Sequence, residues 1–191
     1  MERDWTQRDS VAVLCSGPSL QRTYIDARPQ HDLVIGVNRV VEAVRCDWWA
    51  FNDWETFKWR LPHLVGTPGI CTSGPARKTI IKEGYGDALA RHEVRTYDQL
   101  PVDVPERCRW TNFSMLVGLV LAACFTSKEI VLYGCDQQGV EDWDGPSPTR
   151  AIRTVHRWQN EINKFSKLQE WMKTRGLRFV HVRPEAASVA V

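Results

Sequence analysis

The chain has 191 residues, 43% hydrophobic and 25% charged, with a formal net charge of +2 and an isoelectric point near 8.2. Such a length fits one domain with an ordinary packed core. The charge is too small to argue for nucleic acid as the main partner, although a local basic face stays compatible with it. The six cysteines form no C-x-x-C pair, and no Cys/His spacing suits zinc, so buried free thiols in a reducing cytoplasm are expected. The first five residues carry no apolar signal core, and the longest apolar stretch, residues 115–125, is about half the length that spans a bilayer. The expectation is a soluble, cytoplasmic protein with no membrane span. The oligomeric state is open, a homo-oligomer included.

Residues 10–15 form a short apolar run without alternation, the pattern of a strand buried on both faces of a parallel sheet. Ser16-Gly17-Pro18-Ser19 ends it, with Ser19 placed to cap a helix toward Asp26. Residues 32–38 read as a second strand, followed by a helix over 39–44. Residues 47–51 read as a third strand ending on Asn52-Asp53, with a helix over 54–60 after it. Residues 69–72 read as a fourth strand. Glycines, prolines and charges obscure residues 73–105, apart from a short strand at 93–95. Thr111-Asn112-Phe113-Ser114 then reads as a polar cap on an apolar helix reaching Phe125.

Residues 129–133 form a strand ending on Gly134-Cys135-Asp136. A Gly/Pro/Asp-rich loop occupies 137–149. A long helix spans 152–175, its apolar positions recurring every three or four residues, and Gly176 stops it. Residues 177–182 form a last strand, and 184–191 are a loose tail. Strands alternating with helices predict a single-domain, Rossmann-like α/β fold: a mostly parallel sheet with helices on both faces.

In such sheets ligands bind beyond the carboxyl ends of the strands. Four strand ends are polar: Ser16 to Ser19, Asn38, Asn52-Asp53 and Asp136. Thr111, Asn112 and Ser114 should face the same rim. Gly17 permits close backbone approach, and the Ser19 amide at a helix start favours an anion. The loop is neither a G-x-G-x-x-G fingerprint nor a P-loop. Asparagines suit ribose hydroxyls and base edges, because they both donate and accept.

The set C-S-G-P-S-L at 15–20, V-N at 37–38, F-N-D at 51–53, T-N-F-S at 111–114 and K-E-I-V-L-Y-G-C-D at 128–136 resembles the bacterial sialyltransferases that build lipooligosaccharide. It also resembles the MptE-like 6-hydroxymethylpterin diphosphokinases, which share this core. The resemblance covers residues 10–60 and 108–136. It implies that Ser16, Gly17, Pro18 and Ser19 hold the nucleotide phosphate and ribose, with Asn38, Asn52, Thr111, Asn112 and Ser114 beside them. Ser16 stands where the family has Asn, and T-N-F-S stands where it has T-S-G. The family's histidine general base follows a long, tyrosine-bearing loop. Here that loop is short and lacks tyrosine, and His156, the only histidine nearby, is the candidate catalytic general base toward the acceptor hydroxyl, or else a solvated or capped surface histidine. Arg150, Arg153 and Arg157 surround it as candidate phosphate clamps in place of the tyrosines, or as a plain basic helix face.

Asp142 and Asp144 form an Asp-x-Asp, compatible with a divalent metal or with a solvated acidic turn. The tryptophans at 48, 49, 54 and 59 cluster around the third strand, for packing or as a stacking platform for a sugar or base. The leading function is a transferase using a nucleotide or sugar-nucleotide donor, a glycosyltransferase first, with an unidentified acceptor. The alternatives are a diphosphokinase, a non-catalytic nucleotide-binding module, and a nucleic-acid-modifying transferase.

Overall fold

The structure, a computed structural model, describes residues 5–139, 141–147 and 152–183. The apolar runs form strands, because they are too short to be core helices and are rich in Val, Ile and Trp. In chain order these are β1 (Arg8–Leu14), β2 (Leu33–Val37), β3 (Trp48–Ala50), β4 (Gly69–Thr72), β5 (Val94–Thr96) and β6 (Thr126–Tyr133), then β7 (Glu141–Asp142), β8 (Gly145–Pro146) and β9 (Arg178–His181). Seven of them make one sheet in the order β5-β4-β3-β2-β1-β6-β9, every pair parallel. Only the two-residue hairpin β7–β8 is antiparallel. The helices are α1 (Trp54–Arg60), α2 (Gly74–Ile80), α3 (Gly86–Leu89), α4 (Ser114–Phe125) and α5 (Val155–Thr174).

Both faces of the sheet are covered, as the unalternating strands require. Val11 and Val13 of β1 join the core that holds α4 and α5, while Ala12 and Leu14 point into the opposite layer with Leu20 and Tyr133. β3 divides likewise: Trp48 packs with the α4 core, and Trp49 packs with Phe51, Phe57 and Ile80 under α1 and α2. The helix α4 is apolar all round because it is enclosed all round; Met115 through Phe125 are buried without a break. All six cysteines are free and buried, and burial pushes the Cys46 and Cys71 thiols well up. Among the described residues no single helix is long and apolar enough to cross a membrane.

Three expectations change. The segment after Ser19 is a π-helical turn over Gln21–Ile25, and the Ser19 hydroxyl caps nothing. The helix expected at 39–44 is a 3-10 turn, Asn38–Glu42. The Thr111-Asn112 pair does not cap α4: it closes a 3-10 turn, Trp110–Asn112, and Phe113 takes the N-cap position without a side-chain bond. The tail expected at 184–191 lies outside the described residues.

Trp49 joins the core to the rim. Its fully buried indole Nε1–H donates to the Asn38 carbonyl at 2.7 Å, and that bond supports the left-handed backbone of Asn38 at φ 54°. Replacing Trp49 by Phe leaves a hole and an unpaired carbonyl. The expected cost is about 1–3 kcal/mol in urea denaturation. An unchanged midpoint would show that the bond holds nothing in place.

Candidate functional site

The chain runs from β1 outward through β2 to β5, then crosses back to β6 and β9. The strand order therefore reverses between β1 and β6, and there the carboxyl ends part to leave a crevice. Two glycines let the ends meet. The Gly17 N–H donates to the Gly134 carbonyl at 2.8 Å, and a Cβ on Gly17 would collide with that oxygen and with the Asp136 carboxylate. Gly134 itself has φ 63°, and a Cβ there would strike the Cys15 carbonyl.

Above this crossing lies a cleft of about 290 Å³. Ser16 enters from β1, Asn38 from β2, Asn52 and Asp53 from β3, and Asn112 and Ser114 from the start of α4. Cys135 and Gln137 follow β6, Arg153 comes from just before α5, and Arg157 and Glu161 from its first turns. Eight of the residues singled out by sequence thus share one cavity: Ser16, Asn38, Asn52, Asp53, Asn112, Ser114, Arg153 and Arg157. Asn52 is held from both ends, Nδ2 donating to the Thr111 carbonyl at 3.0 Å and Oδ1 accepting from the Tyr97 hydroxyl. Thr111 contributes that carbonyl rather than a cleft side chain.

Gln137, Glu161 and Phe113 are cleft residues to which the sequence assigned no site role. Gln137 adopts φ 52°, and its Nε2 is shielded from solvent with no hydrogen-bond partner among the described residues. A donor left so at a cavity wall is available to a ligand. Glu161 is only 7% exposed and lies 3.9 Å from Arg153. Phe113 carries the Arg157 guanidinium 5.6 Å above its ring. None has a sequence signal beyond helical spacing or nearness to a strand end.

The rest of the expected site is used differently. The Gly17 amide is spent on Gly134, Pro18 has no N–H, and the Ser19 amide donates to Asp136 Oδ2 at 3.0 Å. No amide from 17 to 19 remains for a phosphate, and the Asp136 carboxylate would repel one. Pro18, Ser19 and Asp136 instead line a separate hollow with Arg22. His156 is exposed on the first turn of α5 and lines none of the described cavities. Arg150 lies outside the described residues.

The Asp-x-Asp pair binds a guanidinium. Arg39 contacts Asp142 Oδ2 at 3.1 Å and Asp144 Oδ2 at 2.7 Å, and it lies 4.6 Å over the Trp143 ring. Asp142, 3% exposed, also accepts from the Ser16 hydroxyl at 2.9 Å. The positive charge that a metal would supply at this pair is therefore Arg39. Among the described residues no group of three or more His, Cys, Asp or Glu side chains is arranged to hold a metal.

No protein-family model matches the sequence, and no curated protein matches it. Solved structures do. The chain is similar in fold to the sialyltransferase CstII. CstII from Campylobacter jejuni in complex with cytidine-5'-monophosphate superposes with a TM-score of 0.59 at 17% identity, covering 95% of this chain and 83% of that one. CstII with a trisaccharide acceptor and CMP gives 0.57, also at 17% identity, over 93% of this chain and 82% of that one. The complex with CMP-3FNeuAc gives 0.56 at the same identity, over 93% and 81%. At such identity the likeness establishes the α/β fold, with its parallel sheet and two helical layers.

Two predictions follow from these contacts. Arg39→Ala strips a buried carboxylate of its counter-charge, and a loss of about 3 kcal/mol is expected in chemical denaturation; wild-type stability would mean the hairpin is held by other groups. His181 donates toward the Cys135 carbonyl, and burial, with Arg183 acting the same way, holds its pKa below the ordinary value. Burial lowers His31 as well. The unfolded chain then takes up protons that the folded chain resists, so stability should fall as pH drops below about 6.5. His181→Gln should flatten that fall in melts between about pH 5 and pH 7; an unaltered slope would remove His181 from the account.

Proposed function

We propose that this protein is a transferase that uses a nucleotide-activated sugar, a sialyltransferase-like glycosyltransferase, with the donor's nucleotide in the cleft above the β1–β6 crossing. One observation carries the reading: Ser16, Asn38, Asn52, Asn112 and Ser114 converge with the guanidiniums of Arg153 and Arg157 on one cavity at the sheet's switch point. Hydroxyls and amides are the groups that read a ribose and a base edge. Guanidiniums are the groups that hold phosphate oxygens, and Arg153, just before the Thr154 N-cap of α5, and Arg157, in the first turn of α5, both line the cleft. The fold shared with CstII supports the same reading, since structures of that protein hold CMP and CMP-3FNeuAc.

The phosphate belongs under α5 in this reading, not on the loop from Gly17 to Ser19, whose amides are spent. The Gln137 amide adds a donor from the cleft wall. A phosphate held by Arg153 and Arg157 leaves with its negative charge already compensated, which favours departure of the nucleotide from the sugar.

Melting curves with CMP, UDP and GDP test the proposal. At about a hundredfold excess over Kd, one of them should raise Tm by about 5 °C or more. Arg157→Ala should weaken that ligand by about tenfold in calorimetry. No stabilisation by any of the three would sink the reading.

A further inference from the structure

A second hollow, of about 540 Å³, opens beside the cleft. The two share the walls Ser16, Asn38, Asp53, Arg153 and Arg157. Its own walls are Arg39, Glu55, Thr56, Trp59, Arg60, Asp142 and Ile152. Thr56, Trp59 and Arg60 follow the i, i+3, i+4 spacing that sets side chains on one face of α1.

Trp59 is the unusual member. It is 54% exposed, whereas Trp48 and Trp49 on the adjacent strand are fully buried. Among the described residues it stacks on no ring and carries no cation. An indole left half in water on the wall of a hollow is a flat apolar surface without a partner. Charged and hydroxyl side chains surround it, but the cations that belong to this hollow alone are occupied: Arg60 pairs with Glu42 at 2.8 Å, and Arg39 pairs with Asp142 and Asp144. With Asp53 and Glu55 alongside, this hollow does not suit a second nucleotide. An aromatic face ringed by hydrogen-bonding groups suits a pyranose, which presents an apolar C–H face and a rim of hydroxyls.

Asp53 stands at the junction. It is the carboxylate that lines both cavities, whereas Glu161 faces only the first and Glu55 and Asp142 only the second. It occupies the N-cap position of α1, yet its side chain makes no capping bond. No ion pair or hydrogen bond engages that carboxylate among the described residues.

We propose that this second hollow is the acceptor site: a saccharide ring rests on Trp59, and Asp53 takes the proton of the acceptor hydroxyl. The assignment rests on the glycosyl-donor reading above. The hydroxyl oxygen forms the new bond to the donor's anomeric carbon as its proton passes to Asp53. The bond from that carbon to the phosphate oxygen breaks, and its electron pair leaves with the nucleotide. Exposed His156 takes no part.

Saturation-transfer NMR with lactose, N-acetyllactosamine and 3'-sialyllactose, each with and without CMP, tests the seat. At least one should bind wild-type protein, and Trp59→Ala should weaken it by about tenfold or more. Trp59→Phe, which keeps an aromatic face, should restore most of the affinity, and CMP affinity should change less than about twofold in both variants. Asp53→Asn, acceptable at an N-cap, should lower kcat by about a hundredfold or more with little change in acceptor KM. Saccharide binding that ignores Trp59, or no binding by any of the three, overturns the seat; an undiminished kcat in Asp53→Asn overturns the base. The two readings fail separately: a wild-type protein that binds saccharide through Trp59 but none of CMP, UDP and GDP refutes the donor cleft and leaves the saccharide seat standing.

Discussion

The arrangement of the rim depends on one close contact, the place where the chain leaving β1 passes the chain leaving β6. Gly17 and Gly134 meet there backbone to backbone, and neither position has room for a Cβ. The contact brings Ser16, Cys135 and Gln137 to the edge of one crevice and turns Asp136 away beneath Ser19. It also directs the chain after β6 back over Ser16, whose carbonyl accepts from the Trp143 amide at 3.1 Å. A side chain at either glycine would separate the two strand ends and open the floor of the cleft.

The sheet was legible because its information is local. An apolar, β-branched run such as residues 10–15 has no polar face to show solvent, so it has to be covered on both sides, and a parallel sheet does that. Polar residues at the ends of such runs are conspicuous for the same reason, so Ser16, Asn38, Asn52 and Asp53 were found. Ser19 and the Thr111-Asn112 pair misled because capping depends on where the helix begins. α4 begins at Ser114, after the 3-10 turn that contains both residues. The segment after Ser19 winds as a π turn that leaves its hydroxyl without a partner.

What the sequence hid is pairing at a distance. Asp142-Trp143-Asp144 looks like a cation site from its own spacing, and a cation does occupy it, supplied by Arg39 from far up the chain. No local pattern connects them. The tryptophans pose the same difficulty: Trp49 and Trp59 are equivalent as letters, yet one supports Asn38 from the core and the other stands half in water. Glu161 reads as an ordinary charge on an amphipathic helix until α5 is docked with its first turns over the cleft.

The walls shared by the two cavities make their ligands thermodynamically dependent on one another. Ser16, Asn38, Asp53, Arg153 and Arg157 each have one set of positions to offer both sides. Whatever a first ligand does to order Arg153 and Arg157, or to compensate their charge, the second ligand meets as an altered surface. By linkage the factor is mutual: if an occupied cleft tightens the hollow, an occupied hollow tightens the cleft by the same ratio. A partition built from side chains common to two chambers is therefore also a means of ordering them, because a molecule that fills one changes the terms on which the other fills.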